Sequence, residues 1–241
     1  MIDRTLNYGR PVIKKFLESI PPFQTVVDIG AGGGEDLGLA VEVAPETKVH
    51  AIELEKTFVE QLKNRKWSVH EINIERDAFP FEKESLDVVM ANQILEHVKE
   101  VFWIFDQISR VLKVGGHFIL GVPNLASFHN RILLLLGQQP TSIRVSSAHV
   151  RGYTKPGILT FLSEAAPGVY RLKKSGGGNF YPFPGFLAKP LAKVFPNMAV
   201  GCFLLFEKVG EYQGQFLDFA APGKLQTNYF VGNGIGTGSL R

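Results

Sequence analysis

A strand, a glycine-rich turn and a helix follow one another without interruption in residues 26–37, VVDIGAGGGEDL. The apolar, β-branched run at 25–30 predicts a buried strand. Glu35 and Asp36 suit the positive N-terminal end of a helix predicted over 35–44. Glycines at 30, 32, 33 and 34 leave the backbone between strand and helix open to a ligand. The stretch therefore predicts an α/β unit whose turn binds a small molecule.

The same alternation continues along the chain and predicts a doubly wound α/β fold. Strands alternating with helices pair in parallel, with helices covering both faces of the sheet. Gly115 and Gly116 are predicted to end a helix, and prolines at 182, 184 and 190 to prevent a long one. Further strands are predicted at 48–55, 67–74, 86–93, 117–123 and 202–209, and further helices at 10–19, 56–66 and 98–112.

Two ligands suit the glycine turn: a dinucleotide, or a nucleoside with an amino-acid tail. In parallel sheets ligands bind at the carboxyl ends of the strands, where Glu53, Asn73 and Asn92 also fall. A dinucleotide-binding turn needs a third glycine where this chain has Glu35, and a carboxylate is a poor neighbour for a pyrophosphate. Asp28, two residues before the first glycine, suits a cationic group instead.

The segment DIGAGGG at 28–34 resembles the first motif of class I S-adenosylmethionine-dependent methyltransferases. Glu53 matches the acid that binds the ribose hydroxyls in that family, and SLDVVMANQILEHV at 85–98 resembles its fourth strand and following turn. Asn73 stands where the family usually has an aspartate beside the adenine. The resemblance implies S-adenosylmethionine as cofactor, with Asp28, Gly30 and Gly32 at its amino-acid tail. The implied cofactor-binding residues are Asp28, Gly30, Ala31, Gly32, Gly34, Glu53, Leu54, Asn73, Ile74, Asn92 and Gln93.

The resemblance also implies a Rossmann-like sheet of seven mostly parallel strands with an antiparallel last strand. We expect one methyltransferase domain over 1–241. Its predicted parts are a cofactor-binding half at 1–123, substrate-binding insertions at 124–200, and a last strand and tail at 201–241.

Residues 123–154 resemble a subset of these methyltransferases associated with glycan or natural-product biosynthesis. The candidate substrate-binding residues are Asn124, Arg131, Arg144, Arg151 and Tyr153, and His149 is the candidate catalytic base. His149 and Arg151 are two residues apart, so an extended segment would point both to one side. For His97 and His129 we favour packing or capping roles.

These residues predict methyl transfer to an oxygen, with nitrogen as second choice, on a small-molecule or glycan acceptor that includes an acidic group. Two alternatives remain open: a nucleic-acid methyltransferase and a non-catalytic binding protein that keeps the fold. A nicotinamide oxidoreductase is disfavoured by Asp28 and Glu35. No nucleic acid is expected as partner, because the chain lacks an Asn-Pro-Pro-aromatic segment for a flipped base.

Charge and composition add expectations about the surroundings of the protein. Residues 1–110 carry 13 basic against 19 acidic side chains, and the rest carry 13 against 4, which favours an acidic partner for the second half. Aromatic residues and lysines alternate at 180–195, which predicts a lid or a peripheral membrane contact. The single Cys202 and the polar N-terminus predict a cytoplasmic protein. No metal site is predicted, because no two histidines have helical spacing. The oligomeric state is left open.

Overall fold

The computed structural model describes residues 9–232, which form seven strands and eight α-helices. The strands are β1 (Thr25–Ile29), β2 (Lys48–Ile52), β3 (Ser68–His70), β4 (Leu86–Asn92), β5 (Leu112–Pro123), β6 (Tyr170–Gly178) and β7 (Gly201–Lys208). The helices are α1 (Arg10–Leu17), α2 (Glu35–Val43), α3 (Lys56–Asn64), α4 (Val101–Val111), α5 (Phe128–Leu135), α6 (Lys155–Ala165), α7 (Gly185–Val194) and α8 (Gln215–Phe219).

All seven strands form one sheet in the order β3-β2-β1-β4-β5-β7-β6. The pairs among β1 to β5 are parallel, and β7 is antiparallel to both of its neighbours, β5 and β6. The predicted Rossmann-like α/β fold with an antiparallel last strand is therefore confirmed. Because β1 and β4 are adjacent, the turns that follow them lie side by side at the carboxyl edge.

Side chains from alternate positions of the strands feed two cores, one on each face of the sheet. Val26, Val88 and Met90 pack with α1, α2 and α3 on one face. Val27 and Val89 pack with α4, α6 and α8 on the other, where Phe105, Phe161 and Phe216 interlock. The two faces hold the edge of the sheet rigid beneath the candidate site.

Several predicted boundaries are wrong, for local reasons. The strand predicted at 67–74 is only Ser68–His70, since the chain turns at Asn73, whose carbonyl accepts from the amides of Arg76 and Asp77. The helix predicted at 98–112 begins at Val101, after a 3₁₀ turn at Leu95–His97.

The glycines at 115 and 116 were misread, whereas the prolines at 182, 184 and 190 do accompany a helix of only ten residues. The fourth helix ends at Val111, and β5 begins at Leu112, so Gly115 and Gly116 lie inside that strand and do not stop the helix. A ten-residue helix, α7, forms despite Pro190 in its interior. In the range 124–200, predicted as substrate-binding insertions, residues 170–178 instead form the edge strand β6. The expected tail at 201–241 is described only as far as residue 232.

Candidate functional site

The glycine turn after β1 combines two packed glycines with one open one. Gly30, Gly32 and Gly34 have φ of 69°, 51° and 80°, the left-handed region that glycine adopts without cost. A Cβ on Gly30 would lie 2.8 Å from the Ile94 side chain, and one on Gly34 2.5 Å from Trp67. A Cβ on Gly32 would meet no heavy atom within 4 Å. The turn is thus fixed at both ends and leaves an open cradle at Gly32.

A buried carboxylate lies directly beneath this turn. Asp28 is 3% exposed, and among residues 9–232 its Oδ1 has no hydrogen-bond partner. Burial raises the pKa of Asp28 well above its usual range, and the nearby carboxylates of Asp36 and Glu53 raise it further. An unpaired buried carboxylate is costly unless a cation or donor meets it. The site therefore favours a ligand that carries positive charge.

Asp36 ties the first turn of α2 to the end of β4. Its Oδ1 accepts from Arg10 Nε at 3.2 Å, and its Oδ2 accepts from Asn92 Nδ2 at 2.7 Å. The next residue, Gln93, has φ of 57°, and its amide donates to the Gly121 carbonyl. These contacts fix Asn92 to the first turn of α2 and Gln93 to β5. That both residues bind the cofactor stays a prediction.

Glu53, at the end of β2, supports the turn from the other side. Its Oε2 accepts from the Gly32 amide at 2.7 Å, and its Oε1 accepts from the amides of Leu54 and Glu55, both at 2.8 Å. Leu54 is exposed although it is apolar. The carboxylate thus holds the backbone that surrounds the cradle.

Asn73 and Ile74 follow β3 in a separate loop. The Asn73 Oδ1 accepts from the Glu75 amide at 3.0 Å, and Ile74 is partly buried against the core. Ala31 is buried within the turn. An amide oxygen has two lone pairs, so the Asn73 Oδ1 can still accept from an adenine amine in place of the aspartate that the family usually has.

The segment 149–153, which contains the predicted His149, Arg151 and Tyr153, is bonded to the turn that follows β4. The amides of Val150 and Arg151 donate to the Glu96 carbonyl at 2.8 and 3.3 Å, and the Tyr153 hydroxyl donates to the Leu95 carbonyl at 3.2 Å. This arrangement places the His149 ring 4.7 Å from the His97 ring, nearly perpendicular to it. The structure thereby brings His149 to the same edge of the sheet as the glycine turn.

Arg151 has other neighbours than His149. Its Nη2 donates to the Lys99 carbonyl at 2.8 Å, and its guanidinium lies 5.5 Å from the Tyr229 ring centre. It lines a cavity of about 560 Å³ whose walls include Phe102, Phe161 and Tyr229. Among residues 9–232, the buried Nε of Arg151 has no partner. We expected the side chains of His149 and Arg151 to lie side by side. In the structure they contact different neighbours.

The other predicted substrate residues divide into structural and exposed ones. Asn124 is buried, and its amide donates to the carbonyls of Asn197 and Ala199 while its Oδ1 accepts from the Ala126 amide. All three bonds are internal and give Asn124 a structural role; that it also binds substrate stays a prediction. Arg131 donates from Nε to the Ala126 carbonyl, and Arg144 is exposed. Tyr153 packs against the core, and burial raises its pKa above the usual range.

Sequence reasoning overlooked three residues that the structure places in the site. Arg10 and Asp36 form an ion pair that adjoins Asp28. Glu96 is 2% exposed, and its Oε1 lies 4.0 Å from His97 Nε2. The acidic residue in LEHV at 95–98 was a visible signal, but nothing in the sequence shows that His149 returns to it.

Comparisons with known proteins agree with this fold. Residues 27–120 match the family model described as a methyltransferase domain. Phosphoethanolamine N-methyltransferase 2 of Caenorhabditis elegans is 31% identical in an alignment of 120 positions that covers 45% of this chain and 26% of that protein. An uncharacterized transposon protein of Streptomyces fradiae is 31% identical in an alignment of 107 positions that covers 43% of this chain and 31% of that protein. The match therefore spans less than a third of each relative.

The fold is also similar to solved structures. The crystal structure of a SAM dependent methyltransferase from Archaeoglobus fulgidus aligns with a TM-score of 0.61 at 12% identity, covering 84% of this chain and 94% of that one. At that identity the likeness establishes the architecture alone. Among the helices of residues 9–232, none has the length and apolar character needed to cross a membrane.

Proposed function

We propose that this chain, whose residues 27–120 form a class I S-adenosylmethionine-dependent methyltransferase domain, transfers a methyl group to an oxygen of a small-molecule or glycan acceptor that carries an acidic group. The observation that carries this proposal is the buried Asp28 carboxylate beneath the open cradle at Gly32, whose Oδ1 has no hydrogen-bond partner among residues 9–232. S-adenosylmethionine carries an ammonium and a sulfonium, and a cation at this position compensates the buried charge.

The residues present fit this cofactor. Asp28 and the turn at Gly32 would hold its amino-acid end, Glu53 would accept from the ribose hydroxyls, and Asn73 with Ile74 would border the adenine. When bound, the cofactor supplies a methyl group on a sulfonium, which is a good leaving group. The protein orients the acceptor and excludes water; correct positioning alone is worth on the order of 7–11 kcal/mol of barrier.

The aromatic cavity beside Arg151 is the proposed acceptor site. Its lining is mostly apolar, and Arg151 supplies a charged group with an unused Nε donor. A guanidinium binds a carboxylate or phosphate with charge-assisted hydrogen bonds. These features support an acceptor with an apolar body and an acidic group.

His149 is proposed to act at the acceptor oxygen. Its Nδ1 lies 2.7 Å from the Ser142 carbonyl and therefore carries the proton, which leaves the Nε2 lone pair available. Nitrogen is the second candidate target, because one relative of the methyltransferase half is named as an N-methyltransferase. Mass spectrometry of the methylated product after turnover distinguishes an ether or ester from an amine.

Titration calorimetry with S-adenosylhomocysteine tests the cofactor assignment. Glu53→Ala removes charge-assisted hydrogen bonds and should weaken binding by about 1.5–3 kcal/mol, or roughly 10- to 150-fold. Glu55→Ala, two residues away and exposed, is the matched control and should bind like the wild type. Equal affinity in all three proteins would remove Glu53 from the site. Tight binding without turnover across an acceptor panel would favour the non-catalytic alternative.

We also propose that the acceptor is presented at a membrane surface. The segment before α7 packs against α5 through Phe128, Phe180 and Phe183, so the two helices are neighbours. Leu135 of α5 is 86% exposed and Phe186 of α7 is 76% exposed, with Lys189 and Lys193 on α7. Apolar side chains with adjacent lysines suit an anionic lipid surface.

Flotation with anionic vesicles tests this contact. The wild type should float with the vesicles, and the double variant Leu135→Asp with Phe186→Asp should not. Leu54→Asp, which changes another exposed leucine, is the control and should float like the wild type.

A further inference from the structure

Three potential metal ligands converge beside the glycine turn. The ligand atoms of Glu96, His97 and His149 all lie within 4.8 Å of one another. Metal bonds of about 2.1 Å place ligand atoms roughly 3.4 Å apart, so small side-chain rotations complete a three-ligand site. Two imidazoles and one carboxylate form a known ligand set for divalent transition metals.

The burial of the Glu96 carboxylate favours a bound cation at this position. It is 2% exposed, and its Oε2 has no hydrogen-bond partner among the described residues. Its ion-pair neighbour is a histidine at 4.0 Å, not a lysine or arginine. A carboxylate buried in this way is costly, and a bound metal ion compensates it directly.

The His149 ring is held in the orientation that a metal ligand requires. Its Nδ1 donates to the Ser142 carbonyl at 2.7 Å, so Nε2 is the free ligand atom. The Ser142 loop is itself fixed, because Asn130 bonds to Ser142 through Nδ2 and to the Thr141 amide through Oδ1. A histidine whose second nitrogen is tied to a carbonyl is the usual arrangement around a metal.

We propose that Glu96, His97 and His149 bind one divalent first-row transition cation, and that its open coordination positions take an oxygen of the methyl acceptor. Nitrogen ligands favour such metals over Mg²⁺ and Ca²⁺, which prefer oxygen alone. The second part rests on the proposed function. His149 then acts on the acceptor through the cation, as a ligand and not as the base.

The methyl transfer involves the loss of one proton and the exchange of a carbon–sulfur bond for a carbon–oxygen bond. A hydroxyl bound to a divalent cation is more acidic than the free group and releases its proton to water. The oxygen then forms the new bond to the methyl carbon, and the electron pair of the broken carbon–sulfur bond stays on sulfur. No oxidant or reductant is consumed.

Cobalt binding to the whole chain tests the site without any acceptor. After chelation and dialysis, Co²⁺ should bind at one per chain with visible absorption typical of nitrogen ligation, and Zn²⁺ should displace it. His149→Ala and Glu96→Gln should each weaken Co²⁺ binding by about 100-fold or more. His70→Ala is the matched control, because His70 faces His50 in a separate pair. Unchanged Co²⁺ affinity in His149→Ala, or no binding by the wild type, overturns the site.

Two further measurements keep the proposals separable. Affinity for S-adenosylhomocysteine should be the same in Glu96→Gln as in the wild type, which also shows that the isosteric variant folds. If wild-type affinity for that ligand were absent, the proposed function would fail while the cobalt result still stood. Once an acceptor is known, chelation should abolish turnover and Zn²⁺, Co²⁺ or Mn²⁺ should restore it. Full turnover by the chelated enzyme overturns the role of the cation in methyl transfer.

Discussion

The cofactor region and the acceptor region meet at one edge of the sheet, but the chain builds them differently. The cofactor region consists of short segments that each directly follow a strand, such as the glycine turn after β1 and Glu53 after β2. The acceptor region depends on a long excursion, in which residues 149–153 return to the turn after β4. The first is dominated by carboxylates and the second by histidines and Arg151. A cationic cofactor and the proposed acidic acceptor would each meet the opposite charge.

We expect the stability of the cofactor region to depend mainly on the backbone conformation of its glycine turn. Gly34→Ala would hold alanine at φ 80° with its Cβ 2.5 Å from Trp67, which should cost about 2–5 kcal/mol of unfolding free energy. Gly38→Ala is the control in the same helix, because its Cβ meets nothing within 4 Å. That variant should gain about 0.5–1 kcal/mol. Urea denaturation measures both, and a loss below 1 kcal/mol at Gly34 would contradict the strained turn.

We expect the stability of the acceptor region to depend on side chains that form hydrogen bonds with the backbone. Asn124→Ala removes three hydrogen bonds, one buried and two partly buried, and takes the donor away from two carbonyls, which should cost about 2–4 kcal/mol. Affinity for S-adenosylhomocysteine should change little, because Asn124 does not contact the turn. Arg144→Ala, an exposed residue in the same region, should leave stability unchanged. If Asn124→Ala were as stable as the wild type, the residue would be free for the substrate after all.

A third prediction concerns the buried charge of the cofactor region. Because the pKa of Asp28 is raised in the folded protein, that form holds a proton that the unfolded chain has lost above pH 4. Stability should therefore fall as pH rises from about 4 through the folded pKa. Asp28→Asn should flatten this fall and raise the stability of the unliganded protein at pH 8.

The same variant should weaken S-adenosylhomocysteine binding by about 1.5–3 kcal/mol, since a charged partner of the ammonium is lost. Denaturant midpoints at pH 5 and pH 8 measure the first effect, and calorimetry the second. Ser19→Ala, remote from the site, should retain the wild-type pH dependence. Stability gained together with affinity gained would argue against a cation at Asp28.

The two regions also explain what the sequence could predict. The fold and the cofactor region were accessible because strand periodicity and the glycine turn are local signals, as with Asp28 and Glu53. The proximity of Glu96 to His149 could not be predicted from the sequence, because the two residues are 53 positions apart. They are brought together by backbone hydrogen bonds from Val150 and Arg151 to the Glu96 carbonyl. The internal contacts of Asn124 were not predictable either, because a polar residue after a strand looks the same in the sequence whether it binds a ligand or two carbonyls.

The smallest predicted effect separates two histidines of the acceptor region, His129 and His149. The ring nitrogens of His129 lie 3.2 Å from Ser127 Oγ and 2.7 Å from Thr141 Oγ1, and its ring packs edge-on against Tyr181. His129→Ala should therefore cost about 1 kcal/mol of stability, a typical net value for such bonds. Cobalt binding should remain as in the wild type, in contrast to His149→Ala. A thermal shift and a cobalt titration on both variants decide the matter: if His129→Ala lost the cobalt and His149→Ala kept it, the histidine that serves the acceptor would be His129.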